Sequence, residues 1–190
     1  AISGRVFLII AFSSTVAGGM QTQFAEIASG ATPLEAIKNG GELPSLINML
    51  IGNRGGAIGE TCAIALLLGF AYLLIRRVIS WHIPVVYVAT VFVLSLIIKQ
   101  DLNAALYQVL GGGLLIGAIS MATDYVTSPT GRAAKIIFAL GCGIITVLIR
   151  FWGSYPEGVS FAILFMNILS PYIEKIHIIK PLGGIKNVKK

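Results

Sequence analysis

The chain has 190 residues, of which 56% are hydrophobic and only 12% are charged, and its mean hydropathy is +0.87. Soluble domains carry about 25% charged residues, so this composition excludes an ordinary water-soluble protein and predicts an integral membrane protein. The formal net charge of +6 becomes informative only when the basic residues are assigned to one side of the membrane or the other.

The first apolar block, residues 6–20, is short and breaks up into serines, Thr15 and paired glycines. It could be a span, a half-helix or a re-entrant segment, and the sequence leaves these three open. The first residue is Ala1 rather than methionine, so we expect further residues to precede it. A cleaved signal peptide is the other explanation.

Segment 18–56 follows, and it contains the stretch ASGATPLEA around Thr32. A threonine hydroxyl needs a general base to act as a nucleophile at neutral pH, and no histidine or cysteine is near in sequence. Thr32 could instead be an acceptor that another protein modifies, because Ser29, Gly30 and Ala31 are small enough for a bulky group to approach. A plain turn is the alternative interpretation of these small residues.

The next motif, GNRGGAIGET at residues 52–61, runs directly into a long apolar block. Backbone N–H groups in such a glycine-rich loop can converge on an anion, and a helix beginning near Glu60 points its positive end the same way. Arg54 could offset the charge of a phosphate. The alternative is a flexible re-entrant turn capped by Glu60 and Thr61.

Apolar blocks of bilayer length then follow one another up to residue 173, and each is predicted to be helical because lipid offers no partner for free backbone groups. The predicted spans are 57–75, 82–98, 102–122, 133–149 and 158–173. The glycines at 111–113 inside the third span predict close helix packing. Cys62 and Cys142 lie inside spans without metal-ligand spacing, so both are predicted to be structural thiols, and no metal site is predicted.

Two polar segments interrupt the later spans. TDYVTSPTGR, residues 123–132, places Asp124 at a span boundary, where it is either solvated at the interface or part of a polar site. RFWGSYPEG, residues 150–158, has the aromatic residues of a membrane interface, with Glu157 able to bridge to Arg150. We interpret this second segment as a packing loop.

Orientation follows from the loops. Alternating the spans puts loops 76–81 and 123–132 with tail 174–190 on one side, and segment 18–56 on the other. The first side holds most of the 14 lysines and arginines, so the positive-inside rule predicts a cytoplasmic tail and an outward-facing Thr32. The basic tail is predicted to contact anionic lipid, not nucleic acid.

Four segments in this order resemble one family, that of the RnfD membrane protein of the Rnf electron-transport complex and its homologue NqrB of the sodium-pumping NADH:quinone reductase. They are SGATPLEAIKNGG, GNRGGAIGETCAIALLLGFAYLLIRR, MATDYVTSPTGR and IRFWGSYPEGVSFAILFMN. The resemblance runs from about residue 13 to residue 174. It departs from the family pattern at Glu26, where aspartate is usual, and at Tyr125, where many relatives have proline.

The resemblance implies that Thr32 carries FMN through a phosphoester bond made by a separate flavin transferase. Other cofactor contacts implied for this chain involve small, polar and charged residues of the motifs: Ser29, Gly30, Ala31, Asn53, Arg54, Gly55, Gly56, Glu60, Thr61, Asp124 and Thr127. It also implies an all-α membrane protein with a multi-span helical bundle, the second half of a urea-transporter-like inverted-repeat fold. In that organisation 18–56 is the flavin-attachment loop, 57–173 a five-span bundle and 174–190 the tail.

The implied function is that of a subunit, not catalytic alone, in a bacterial or archaeal cell-membrane complex that couples electron flow from ferredoxin to NAD with sodium or proton transport. Its partners would be the other Rnf subunits, membrane lipid and the flavin transferase. Membership of the quinone reductase is the first alternative, ranked lower because the tail is short and basic. A channel or transporter half for a small solute, without a redox cofactor, is the alternative from another class.

Overall fold

The computed structural model describes residues 2–11, 34, 45–52, 61–153 and 158–176. Within these ranges every regular element is a helix and none is a strand. The helices are α1 (Ile2–Ala11), α2 (Leu46–Ile51), α3 (Ala63–Ile75), α4 (His82–Lys99), α5 (Leu102–Leu110), α6 (Leu114–Ile116), a π-helix (Gly117–Met121), α7 (Arg132–Trp152) and α8 (Val159–Ile176). The predicted all-α membrane fold is confirmed, whereas its likeness to urea transporters and its repeat symmetry stay predictions.

Two of these helices, α4 with 18 residues and α7 with 21, are long and apolar enough to cross a membrane by themselves. A third crossing or re-entrant segment is formed by a bent pair, Leu102–Leu110 and Leu114–Met121, whose axes differ by 61°. α3 is a shorter apolar helix of 13 residues. The predicted span 102–122 thus corresponds to two helical pieces with a break near its middle.

The π-helix that closes the bent pair has a wider turn than an α-helix. Ala122 N donates to Gly117 O at 2.8 Å, a bond between residues five apart instead of four. Ser120 Oγ also donates back to Ile116 O at 2.5 Å. The π-helix therefore keeps its backbone groups bonded while it accommodates one extra residue per turn.

The core forms around α7, which packs against α4 on one side and α8 on the other. Tyr87 of α4 and Phe138 of α7 are fully buried there. A Cβ on Gly143 would lie 2.6 Å from Thr90 Cβ, so the missing side chain allows α7 to approach α4 closely, as small residues do in membrane helices. Cys142, in the same stretch, is buried as predicted for a structural thiol.

Large apolar side chains also cover the outside of the bundle. Leu68 and Ile75 of α3, Ile97 of α4 and Ile168 of α8 are all more than 60% exposed. So much exposed aliphatic surface is unfavourable in water and is the normal exterior of a protein in lipid.

The connections meet at two opposite ends of the bundle. At one end, Tyr125 donates its hydroxyl to Val78 O, and Lys135 Nζ donates to Ser80 Oγ at 3.1 Å. Segments 76–81 and 123–132, predicted to share a side, thus lie together. At the other end, the Lys99 ammonium lies 5.7 Å from the centre of the Phe151 ring.

The C-terminal end of α8 lies at the first of these two ends. Glu174 Oε1, near the end of α8, accepts hydrogen bonds from Thr130 N at 2.8 Å and Thr130 Oγ1 at 3.1 Å. These contacts agree with the predicted alternation of the spans. Which end faces the cytoplasm stays a prediction.

Candidate functional site

The break between α5 and α6 is the most unusual backbone feature of the membrane region that the structure describes. Three consecutive glycines occupy 111–113, and Gly112 has a φ of 63°, in the left-handed region that residues with a side chain rarely adopt. The last carbonyls of any helix lack intrahelical partners. Gly111 and Gly113 are buried within the protein, so the C-terminal end of α5 needs donors from other protein groups.

Arg150 of α7 supplies those donors. Its Nη1 donates to Gln108 O at 2.5 Å and lies 3.4 Å from Gln108 Oε1, and its Nη2 donates to Gly111 O at 3.3 Å. Arg150 is 3% exposed and Gln108 is 6% exposed. A buried guanidinium thus caps the half-helix, where the helix dipole also favours a cation.

This placement corrects the sequence interpretation of Arg150. The sequence predicts an outer packing loop that begins at residue 150, whereas α7 continues to Trp152 and the Arg150 side chain points into the bundle. The reason is the break in α5, whose free carbonyls stabilise a cation that would otherwise be costly to bury.

Leu34 packs on the same break. It is 3% exposed, and a Cβ on Gly111 would collide with its Cδ1. A Cβ on Gly112 would lie 3.6 Å from Leu34 Cδ1 and 3.2 Å from Arg150 Nη2. Leu34 therefore touches bare glycine backbone at the point that Arg150 holds.

The flank of the second predicted motif is attached to the same helix. α2 packs against α5, and Leu50 of α2 lies in an apolar cluster that also contains Leu110 and Leu115. Gly52, with a φ of 100°, ends α2 and closely approaches the Cα of Cys62. The described flanks of segment 53–60 are thus in contact with each other beside α5.

Most residues predicted to bind the cofactor lie outside the described ranges: Ser29, Gly30, Ala31, Thr32, Asn53, Arg54, Gly55, Gly56 and Glu60. Thr61 is described and half-buried, directly before Cys62 and so beside Gly52. Thr61 therefore lies next in the chain to Cys62 at the end of α2, a helix that packs against α5, and Leu34 contacts the break that follows α5.

Asp124 and Thr127 lie elsewhere. Asp124 is exposed, and its Oδ2 accepts a hydrogen bond from Thr127 Oγ1 at 3.4 Å. Both residues precede α7, which begins at Arg132. At a rise of about 1.5 Å per helical residue, Arg132 and Arg150 are about 27 Å apart along the helix axis. The structure does not bring these two residues together with Leu34.

Three residues of the site were not predicted from sequence: Leu34, Gln108 and Arg150. An arginine that directly follows an apolar run, in ITVLIRFW, was one available signal, because such a side chain can turn back into the bundle. The run of three glycines was another, since glycine both permits close packing and ends helices. Leu34 itself gave no signal beyond its place near Thr32.

The curated relatives are consistent with a membrane subunit of a redox complex. Over 194 aligned positions the chain is 38% identical to the RnfD protein of the Na(+)-translocating ferredoxin:NAD(+) oxidoreductase complex of Acetobacterium woodii, covering 100% of this chain and 60% of that protein. It is 38% identical to the RnfD protein of the proton-translocating ferredoxin:NAD(+) oxidoreductase complex of Clostridium ljungdahlii, covering 90% of this chain and 57% of that protein. The corresponding protein of the ion-translocating oxidoreductase complex of Stutzerimonas stutzeri is 42% identical over 70% of this chain and 38% of its own length.

The chain therefore spans no more than 60% of the length of these relatives. The sequence profile of the NQR2, RnfD, RnfE family matches residues 1–183, which includes the broken span, Arg150 and the segment that leads to Leu34. With this match and these identities, the chain belongs to the NQR2, RnfD, RnfE family.

Proposed function

We propose that the chain is part of the RnfD protein of an Rnf-type ion-translocating ferredoxin:NAD oxidoreductase, and that it carries FMN covalently on Thr32. In this role it relays electrons between neighbouring subunits while the complex moves sodium or protons. The names of the relatives support the membership. The observation that carries the site is the burial of Leu34, two residues after Thr32, on the break beside Arg150.

The residues of this region fit an attached flavin nucleotide. Thr32 stands two residues before Leu34 in the sequence, and two residues of chain reach at most about 7 Å. The buried Leu34 anchors the segment on the break that Arg150 caps. An anchor two residues from Thr32 helps to hold a phosphate-linked group in one place.

The attachment chemistry explains why Thr32 has no catalytic neighbours in the sequence. The Thr32 oxygen attacks the FMN-side phosphorus of a flavin dinucleotide donor, the bond from that phosphorus to the second phosphate breaks, and a nucleoside monophosphate leaves. The separate transferase supplies the base that takes the hydroxyl proton. The covalent link then keeps the flavin at high effective concentration on the outer face, where a dissociable cofactor would be lost. The bound flavin supplies a ring that takes up and releases electrons.

The fold gives the helical core and the glycine break different roles. α4, α7 and α8 form a rigid core with an apolar exterior, and the bent pair presents the glycine break to Leu34. The site is thus built on helices that are themselves fixed by lipid and by core packing, which keeps a redox group at a constant distance from its neighbours. The glycine-rich segment 52–61, whose flanks contact α5, is the proposed wall of the flavin site.

The attachment is tested by mass analysis of the peptide that contains Thr32, from the full-length subunit expressed with its transferase. We expect this peptide to carry the mass of FMN, and the washed, denatured polypeptide to fluoresce as a flavoprotein. Thr32→Val, which keeps the shape but removes the hydroxyl, should abolish both signals. Thr130→Val is the matched control and should retain them, because Thr130 is exposed and bonds Glu174 at the opposite end of the bundle. An unmodified Thr32 in an active complex would refute the proposal.

A further inference from the structure

We propose that Arg150 is the positioning residue of the loop that carries Thr32: it fixes the glycine break in the third crossing, and the break in turn seats Leu34. This inference rests on the function proposed above. Arg150 acts through the glycine break and through Leu34. We therefore expect the effects of changing Arg150 and Leu34 to be coupled, although these residues are far apart in sequence.

The first step is the link from Arg150 to the break. Its guanidinium donates to Gln108 O and Gly111 O, so one planar group bonds both sides of the point where α5 ends. The fork geometry of arginine reaches two acceptors at once, which the single ammonium group of lysine does not reproduce. The end of α5 at the bend of 61° is therefore capped by a side chain from a different helix.

The second step is the link from the break to Leu34. Gly111 and Gly112 present backbone without side chains: a Leu34 methyl group occupies the space where a Cβ on Gly111 would be, and the Leu34 methyls are in van der Waals contact with the Cβ position of Gly112. Arg150 Nη2 and Leu34 Cδ1 lie 3.2 Å and 3.6 Å from the same point, the Cβ position of Gly112. A change in the position of the guanidinium changes the surface on which Leu34 packs.

The third step is the link from Leu34 to Thr32. Only one residue, Pro33, separates Leu34 from Thr32 in the sequence, so a buried Leu34 is a short tether for the proposed attachment residue. If Leu34 loses its seat, the segment loses this anchor and gains rotational freedom. Arg150 thus controls the order of the attachment site without needing to touch the flavin.

The test compares variants of the purified full-length subunit that carries its own flavin. The two readouts are the fluorescence anisotropy of the attached flavin, which reports rotational freedom, and its midpoint potential, which reports its surroundings. In Arg150→Gln we expect the anisotropy to fall toward that of free FMN and the potential to shift. Leu34→Ala should lower the anisotropy by a similar fraction, and the double variant should fall no further, because both changes remove one anchor.

The matched control is Arg132→Gln, which removes an exposed arginine from the opposite end of the same helix and should change neither readout. Unchanged anisotropy and potential in Arg150→Gln, or additive losses in the double variant, would overturn the inference. If Arg150→Gln does not fold, Arg150→Lys decides in the same way, since it keeps the charge but not the fork. A wild-type subunit without FMN on Thr32 would instead overturn the proposed function, so the two failures are distinguishable.

Discussion

Replacing Gly112 with alanine tests the energetics of the break directly. The φ of 63° at this residue costs a residue with a Cβ atom about 1–2 kcal/mol. The new Cβ would lie 3.2 Å from Arg150 Nη2, a tight contact with a group that three hydrogen bonds hold in place. Weakening one of those bonds adds about 1 kcal/mol, so we expect a total loss of about 2–3 kcal/mol.

The assay is thermal unfolding of the detergent-solubilised subunit, followed by far-ultraviolet circular dichroism. At about 2–4 °C per kcal/mol, Gly112→Ala should lower the melting temperature by about 5–10 °C. Gly69→Ala is the control: this glycine lies inside α3, and a Cβ there meets nothing within 4 Å. Its better helix propensity should raise stability by up to about 1 kcal/mol. If Gly112→Ala melts at or above Gly69→Ala, the break does not depend on a left-handed glycine.

Two further predictions concern the core and the orientation. Tyr87 and Thr146 share a buried hydrogen bond of 2.6 Å, and Thr146 Oγ1 also donates to Cys142 O. Thr146→Val should destabilise the fold by about 1–3 kcal/mol, because it leaves the buried Tyr87 hydroxyl without its partner. Tyr87→Phe should cost only about 1 kcal/mol, because the Thr146 hydroxyl keeps its bond to Cys142 O. Equal losses in thermal unfolding would contradict this order. A single cysteine introduced at Ser29 into a cysteine-free background should react with a membrane-impermeant maleimide in intact cells, whereas one at Lys189 should react only after lysis. The reverse pattern would place the Thr32 loop in the cytoplasm.

Hydropathy predicted the main architectural elements because burial in lipid imposes a simple requirement on composition. The spans predicted at 82–98 and 133–149 correspond to α4 and α7, with ends that differ by one residue at most except at Trp152. The pairing of segments 76–81 and 123–132 also followed from simple alternation. These features depend only on local composition and on the need to satisfy the backbone inside the membrane.

The break and its arginine depended on information that local composition does not contain. Gly143 allows close packing of two helices, whereas Gly111 ends a helix. The residue type is the same in both, so it does not reveal which of the two roles a glycine has. A charge usually ends a span, which is why the sequence favours a loop at Arg150. Its burial is stabilised by the carbonyls of Gln108 and Gly111, some 40 positions earlier in the chain, which accept its hydrogen bonds at the end of a helix.

The wide turn at Gly117–Met121 has a consequence for comparing members of the family. One additional residue in a helical turn shifts the side chains of that turn by about 100° around the axis. Ala122 caps the π-helix, and the next helix begins only at Arg132, so the shift is confined to residues 117–121. A one-residue gap between relatives is therefore best placed here, because it changes the width of this turn without displacing a following helix.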